Sequence, residues 1–272
     1  MSKTRIVIAG AGGRMGQALI EATLAAPDLV LAAAVDVPGA PAVGHDAGQR
    51  FGRTTGVIVS SDAEASIAAG DVLIDFTLPE GTLAHLAACC RHGTAAVVGT
   101  TGLSPAQVDT LRQCAEAVPI VFAANMSVGV TMLLNLVETA ARRLGPEFDI
   151  EIVEMHHRHK VDAPSGTALA LGAAAAAGAG VNLADCAVYA REGHTGERPA
   201  GKIGFATLRG GDVIGEHTVI FAGTGERVEL GHRATSRQNF ATGAMRAARY
   251  VAQRRTSGQP GLADMRDVLG LR

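Results

Sequence analysis

The side chains with the most chemistry to offer in this 272-residue sequence lie together, in Glu154-Met155-His156-His157-Arg158-His159-Lys160-Val161-Asp162-Ala163-Pro164-Ser165-Gly166-Thr167. Imidazoles, a guanidinium and an ammonium are followed at once by a Pro-Ser-Gly-Thr turn and by the helix formers Ala168-Leu169-Ala170-Leu171. The start of a helix leaves backbone N–H groups unpaired, and its dipole favours an anion. Histidine exchanges a proton readily near neutral pH, and lysine can stabilise developing negative charge or bind a carboxylate. The segment therefore reads as a device that grips a carboxylate or phosphate and hands it a proton. His156 and Lys160 would share a helix face and can also converge in a loop. Ser165 is the expected N-cap, with Gly166 and Thr167 presenting N–H groups and a hydroxyl to the anion. His156-x-x-His159 lacks a zincin glutamate and a third ligand, so no metal is expected.

A proton donor needs a source of reducing electrons to make a reductase, and the N-terminus suggests one. Arg5-Ile6-Val7-Ile8-Ala9 is a continuous apolar run of the kind shown by a buried parallel strand. Gly10-Ala11-Gly12-Gly13-Arg14-Met15-Gly16 follows, then a helical pattern, then a second apolar run from Leu29 to Val35 that ends at Asp36. Strand, glycine turn, helix, strand and terminal acid form a dinucleotide-binding fingerprint, although the last glycine falls at 16 and not at 15. Asp36 favours a free ribose hydroxyl and hence NADH, whereas Arg14 leaves NADPH open. The expected acceptor is a small anionic molecule.

The elements that must position these groups follow from rhythm. Apolar runs at 57–59, 72–76, 95–98 and 120–123 alternate with helical patterns at 63–69, 79–92 and 105–117, which predicts a doubly wound parallel α/β sheet. Ligands of such sheets bind beyond the carboxyl ends of the strands. There stand Phe76-Thr77, Gly99-Thr100-Thr101-Gly102 and Ala124-Asn125-Met126-Ser127. Residues 38–56 read as a long loop. Residues 128–144 predict one helix with Met132, Leu136 and Ala140 on its stripe, and residues 148–153 a strand leading into the histidine motif. Runs at 203–208, 213–221 and 227–230, separated by glycine turns, predict an antiparallel set, hence a second α+β domain. Residues 240–251 predict an amphipathic helix.

Composition limits the alternatives. A net charge of −2 gives no reason to expect a nucleic-acid partner. The most apolar stretch, residues 168–181, is shorter than the ~20 residues a membrane span needs, so a soluble protein is expected. Cys89, Cys90, Cys114 and Cys186 show no metal-ligand spacing and are expected to be reduced structural thiols.

Residues 154–169, together with 10–16, 99–102, 123–129, 192–198 and 264–269, closely resemble the bacterial dihydrodipicolinate (4-hydroxy-tetrahydrodipicolinate) reductase family over nearly the whole chain. The resemblance implies NAD(P)H-dependent reduction to tetrahydrodipicolinate in the diaminopimelate and lysine pathway, in the cytoplasm. It implies that His156 donates the proton with Lys160 as second catalytic residue. His157, Lys160, Ser165, Gly166 and Thr167 would hold the carboxylates of a small dicarboxylate. Gly10, Ala11, Gly12, Gly13, Arg14, Met15, Asp36, Gly99, Thr100, Thr101, Ala123, Ala124, Asn125 and Met126 would contact the cofactor. It further implies a Rossmann-like domain of residues 1–127 and 238–272, and an inserted α+β domain of residues 128–237 that builds a homotetramer. Some members carry Glu then Arg where this chain has Asp36 and Val37, which bears on the choice between NADH and NADPH.

Overall fold

A computed structural model of the chain describes residues 3–236 and 238–272. It divides into two compact units, Met1–Val128 with Arg237–Arg272, and Gly129–Ser236. In the first, the apolar runs form β1 (Thr4–Ala9), β2 (Leu29–Val35), β3 (Val72–Asp75), β4 (Ala95–Val98) and β5 (Pro119–Phe122). Between them lie α1 (Arg14–Ala25), α2 (Ala63–Ala68), α3 (Pro79–His92) and α4 (Pro105–Ala115). Helices on both faces bury β3 and β4 completely, which is why their sequences are apolar at every position but one, Asp75. Ser104 and Gln107 close a capping box at α4, and Pro105 opens it.

One expected strand is absent. Residues 57–59 make only isolated bridges, Asp46↔Ile58 and, just beyond, Val35↔Ser60. The cause is Asp46, whose carboxylate accepts the N–H groups of Gly48, Thr55 and Gly56 and the Thr55 hydroxyl. That staple ties the preceding segment to itself, so residues 57–59 pair only with the short returning segment, where Ala47 N–H donates to the Val57 carbonyl and Val59 N–H to that of His45. The cysteine expectation is also corrected. Cys90 on α3 and Cys114 on α4 form a disulfide, because the neighbouring helices bring their Cα atoms to 6.2 Å; Cys89 and Cys186 are free and buried.

The second unit contains α5 (Val128–Leu144), β6 (Asp149–His156), α6 (Gly166–Ala179), α7 (Leu183–Cys186), β7 (Ala187–Val188), β8 (Ile203–Arg209), β9 (Gly215–Ala222) and β10 (Arg227–Ala234). Its sheet runs β10-β9-β6-β8-β7 and is mixed, not antiparallel: β6 pairs antiparallel with β9 but parallel with β8. The chain leaves β6 through α6 before entering β8, and a helical crossover returns a strand parallel. Gly210-Gly211 resembles a hairpin turn in sequence, yet β8 and β9 flank β6 and are not partners. The turn passes over the end of β6, where Gly210 donates to the carbonyl of His156 and Arg158 donates to that of Gly211. Ile150, Ile152, Ile203, Phe205, Val219 and Phe221 share one core with α5 and α6.

The stripe of α5 differs from expectation. Val130, Leu133, Val137 and Ala141 are buried, while Met132 and Leu136 stay 44% and 42% exposed. Apolar residues occur on several sides of this helix, so periodicity offers more than one stripe and packing chooses.

The chain closes with α8 (Gln238–Thr256), β11 (Gly261–Ala263) and α9 (Met265–Leu269). α8 packs on α1 and on β3, β4 and β5, and β11 extends the first sheet to the all-parallel order β11-β5-β4-β3-β1-β2. The fit is close: a Cβ at Gly243 would run into the carbonyl of Met126.

Candidate active site

Strand β6 sets the chemistry by alternation. Ile150, Ile152, Glu154 and His156 point to the covered face, so a carboxylate and an imidazole continue the row that two isoleucines begin. Glu154 is 1% exposed and His156 is 8% exposed. His156 Nδ1 lies 2.6 Å from Glu154 Oε2. Arg209, paired with His156 in the β6–β8 register, donates to both oxygens of Glu154 at 2.8 and 3.0 Å, and the Ser165 amide donates at 3.0 Å. Burial works to raise the Glu154 carboxyl, but donation from Arg209, His156 and Ser165 outweighs it and leaves the group below the ordinary range.

His217, on β9 opposite Glu154, meets His156 edge-on with centroids 5.1 Å apart. Its Nε2 is 3.0 Å from Ser165 Oγ, and its Nδ1 is buried without a hydrogen-bond partner among the described residues. Burial first, and then the neighbouring His156, pull His217 down to about 4. It is neutral at pH 7.

The expected residues meet these groups in different ways. His156 lies at the end of a strand, so its relation to Lys160 is not that of a helix face; a turn in which Lys160 N–H bonds the His157 carbonyl carries the chain onward. Lys160 Nζ bonds Asp162 Oδ1 at 2.7 Å. Ser165 caps α6 as expected, its Oγ accepting from Ala168 N–H. Its own N–H and hydroxyl are engaged by Glu154 and His217, so it reaches a ligand only by exchanging a partner. Gly166 and Thr167 form the first turn of α6, where Gly166 is exposed and Thr167 half-buried. His157 is half-buried, and Arg158 and His159 are exposed. No group of side chains among the described residues has metal-binding geometry.

In the first unit, α1 begins at N-cap Gly13 with no side-chain cap and no acid in its first turn, which leaves its N–H groups for an anion. A Cβ at Gly16 would overlap the Gly10 carbonyl, so only glycine lets the turn close this tightly. Asp36 accepts N–H groups from Gly12 at 2.7 Å and Val37 at 2.8 Å. It borders a cavity of about 300 Å³ that also touches Gly10, Val37, Pro38, Thr77, Leu78 and His85. The slot is mainly apolar, with the Asp36 carboxylate on its edge. Arg14 is exposed and Met15 half-buried. Ala11 and Met126 are fully buried, so their side chains are core and only their backbone is available to a cofactor. Gly99 is buried beneath the Phe76 ring, and the Thr100 hydroxyl bonds that of Thr82 at 2.7 Å. Thr101 and Ala124 are exposed, Ala123 and Asn125 half-buried.

The sequence alone assigns no role to Glu154, Arg209, His217 or the pair of buried Asp75 with half-buried His85 (2.8 Å). Extending the alternation of residues 148–153 by three positions would have put Glu154 and His156 on one face. Arg209 and His217 come from distant strands, and nothing local marks them.

Residues 4–126 match the family described as "Dihydrodipicolinate reductase, N-terminus" and residues 129–269 the one described as "Dihydrodipicolinate reductase, C-terminus". A 4-hydroxy-tetrahydrodipicolinate reductase of Cupriavidus metallidurans is 57% identical over 98% of this chain and 100% of its own length. One of Burkholderia thailandensis is 55% identical over the full length of both. Among solved structures, a dipicolinate-bound dihydrodipicolinate reductase from Paenisporosarcina sp. TG-14 shares the fold, with a TM-score of 0.74 and 24% identity over 96% of this chain and 97% of its own. With both halves matched and full-length relatives above half identity, the chain belongs to the dihydrodipicolinate reductase family and is an oxidoreductase.

Proposed function

We propose that this chain reduces 4-hydroxy-tetrahydrodipicolinate to tetrahydrodipicolinate in diaminopimelate and lysine biosynthesis, with NADH or NADPH as reductant. The observation that carries the reading is the buried His156, hydrogen-bonded through Nδ1 and followed along the chain by Lys160 and then the α6 N-terminus. When bound, the dinucleotide supplies the hydride. Uncapped N–H groups at α1 suit its pyrophosphate, and Asp36 suits its ribose hydroxyls. His156 donates the proton. Lys160, released from Asp162, and the N–H groups of Gly166 and Thr167 hold the carboxylates, with His157 beside them. The N-terminal and C-terminal stretches 1–127 and 238–272 act as the cofactor domain, and 128–237 as the substrate domain.

The same domain is proposed to assemble a homotetramer. One face of its sheet is packed against helices, whereas the other presents Ala206 and Leu208 exposed and Val153, Met155 and Ile220 half-buried. An apolar face of that kind suits a second copy. A cytoplasmic location is proposed with the pathway; no helix among the described residues is long and apolar enough to cross a membrane.

The test is His156→Gln with the cyclic substrate and both cofactors. Loss of a general acid lowers kcat by roughly 10²–10⁴-fold, with little change in dinucleotide affinity. Wild-type turnover would remove His156 from the chemistry, and light scattering that gives a mass other than four chains would remove the tetramer.

A further inference from the structure

Resting on the reading of His156 as proton donor, we propose that Glu154, clamped by Arg209, is the positioning residue that fixes which nitrogen of His156 carries the transferable proton. Three observations converge. First, the acceptor sites of Glu154 are filled: Oε2 receives His156 Nδ1 at 2.6 Å and Arg209 Nη1 at 2.8 Å, and Oε1 receives Ser165 N–H at 3.0 Å and Arg209 Nη2 at 3.0 Å. A carboxylate with this many donors stays ionised and accepts from Nδ1–H, so the labile proton is the one on Nε2.

Second, the other side of the ring has been kept clear. A Cβ at position 215 would stand 2.9 Å from His156 Nε2, and that position is glycine. Gly215 is the first residue of β9, and a strand gains nothing from glycine by propensity, so an open approach is what the residue contributes there. Third, Arg209 is itself pinned. It donates to the carbonyls of Leu208 at 2.7 Å and Asp162 at 2.6 Å, which joins the clamp to the turn bearing Lys160.

The other groups around His156 do not compete for the role. His217 on β9 is neutral, and its Nε2 is engaged with Ser165. His232, opposite His217 on β10, is held low by burial. Lys160 is paired with Asp162. The step then balances: the Nε2–H bond of the imidazolium breaks, its electron pair stays on Nε2, and the proton goes to the substrate atom that the hydride transfer has made basic. Nδ1 keeps its proton on Glu154, which never titrates in the cycle. Solvent recharges Nε2.

The experiment is ¹⁵N NMR of the full-length chain with labelled histidine, paired with kinetics of Glu154→Gln. In the wild type, at a pH high enough to leave the His156 ring neutral, that ring is expected as the Nδ1–H tautomer. In Glu154→Gln the amide NH₂ faces Nδ1, the ring turns over to Nε2–H, and kcat falls at least about 10²-fold with KM within about threefold. A wild-type ring in the Nε2–H form overturns the proposal without any variant. So does a Glu154→Gln enzyme with full kcat, or one that loses kcat with the wild-type tautomer retained. Gly215→Ala is the second variant; it should lower kcat while leaving the tautomer alone, and full turnover there counts against the open approach. An inactive His156→Gln beside a fully active Glu154→Gln sinks the positioning role only, whereas an active His156→Gln sinks the proton-donor reading itself.

Discussion

His217 offers the most quantitative prediction. The ring is 4% exposed, its Nε2 faces Ser165, and its Nδ1 has no partner among the described residues, so protonation would place a charge and an unsatisfied N–H in the core. Folding lowers its pKa from 6.5 to about 4. Between those values the unfolded chain binds the proton and the native chain does not, so stability rises with pH. The contribution is whole above pH 6.5 and is lost progressively as pH falls toward 4. Integrating one group with those two pKa values gives a loss of about 2 kcal/mol at pH 5 and about 3 kcal/mol at pH 4, relative to pH 7. Carboxylates also titrate at the acid end, so the measurement is a difference. Urea unfolding of the wild type and of His217→Gln, which cannot titrate, is followed at half-unit steps from pH 7 to pH 4.5. The two curves should converge as pH falls, closing a gap of about 2 kcal/mol by pH 5. Parallel curves over that range would refute the reasoning.

Two further outcomes follow from the same geometry. Asp36→Ala should lower kcat/KM for NADH by roughly 10–100-fold, the worth of hydrogen bonds to a charged group, and affect NADPH less. Equal loss with both cofactors in steady-state kinetics would remove Asp36 from ribose recognition. Arg209→Met leaves a buried carboxylate without its cation and should cost about 3–5 kcal/mol in urea unfolding. Adding Glu154→Gln should recover most of that cost, and a double variant no more stable than Arg209→Met would show that Arg209 acts by packing alone.

Much of the first unit is legible because its strands are short apolar runs bounded by glycine, proline or a capping residue. Residues 29–35, 79–92 and 95–98 need only local pattern, and each fills the span it predicts. The failures share one cause, a partner far away in sequence. Residues 57–59 have strand composition, but Asp46 decides their surroundings. The Gly210-Gly211 turn resembles its hairpin counterparts until the strand between its two arms is known. Cys90 and Cys114 have no telling spacing, and helix packing makes them neighbours. Of the site, the donors are visible in the motif because they are contiguous. Their orientation is not, because Arg209 and His217 reach it from other strands.

Two of the strand-to-helix joints in this chain, from β1 into α1 and from β6 into α6, carry the groups singled out above. In both, a strand delivers the backbone to the amide end of a helix, and the intervening residues decide what kind of negative group is welcome. Bare glycines at the first joint let a bulky diester come close, whereas the second places ionisable side chains where a planar acid would have to be protonated as well as held. On the proposed function, one architectural element, repeated with different punctuation, serves grip alone in one place and grip with proton delivery in the other.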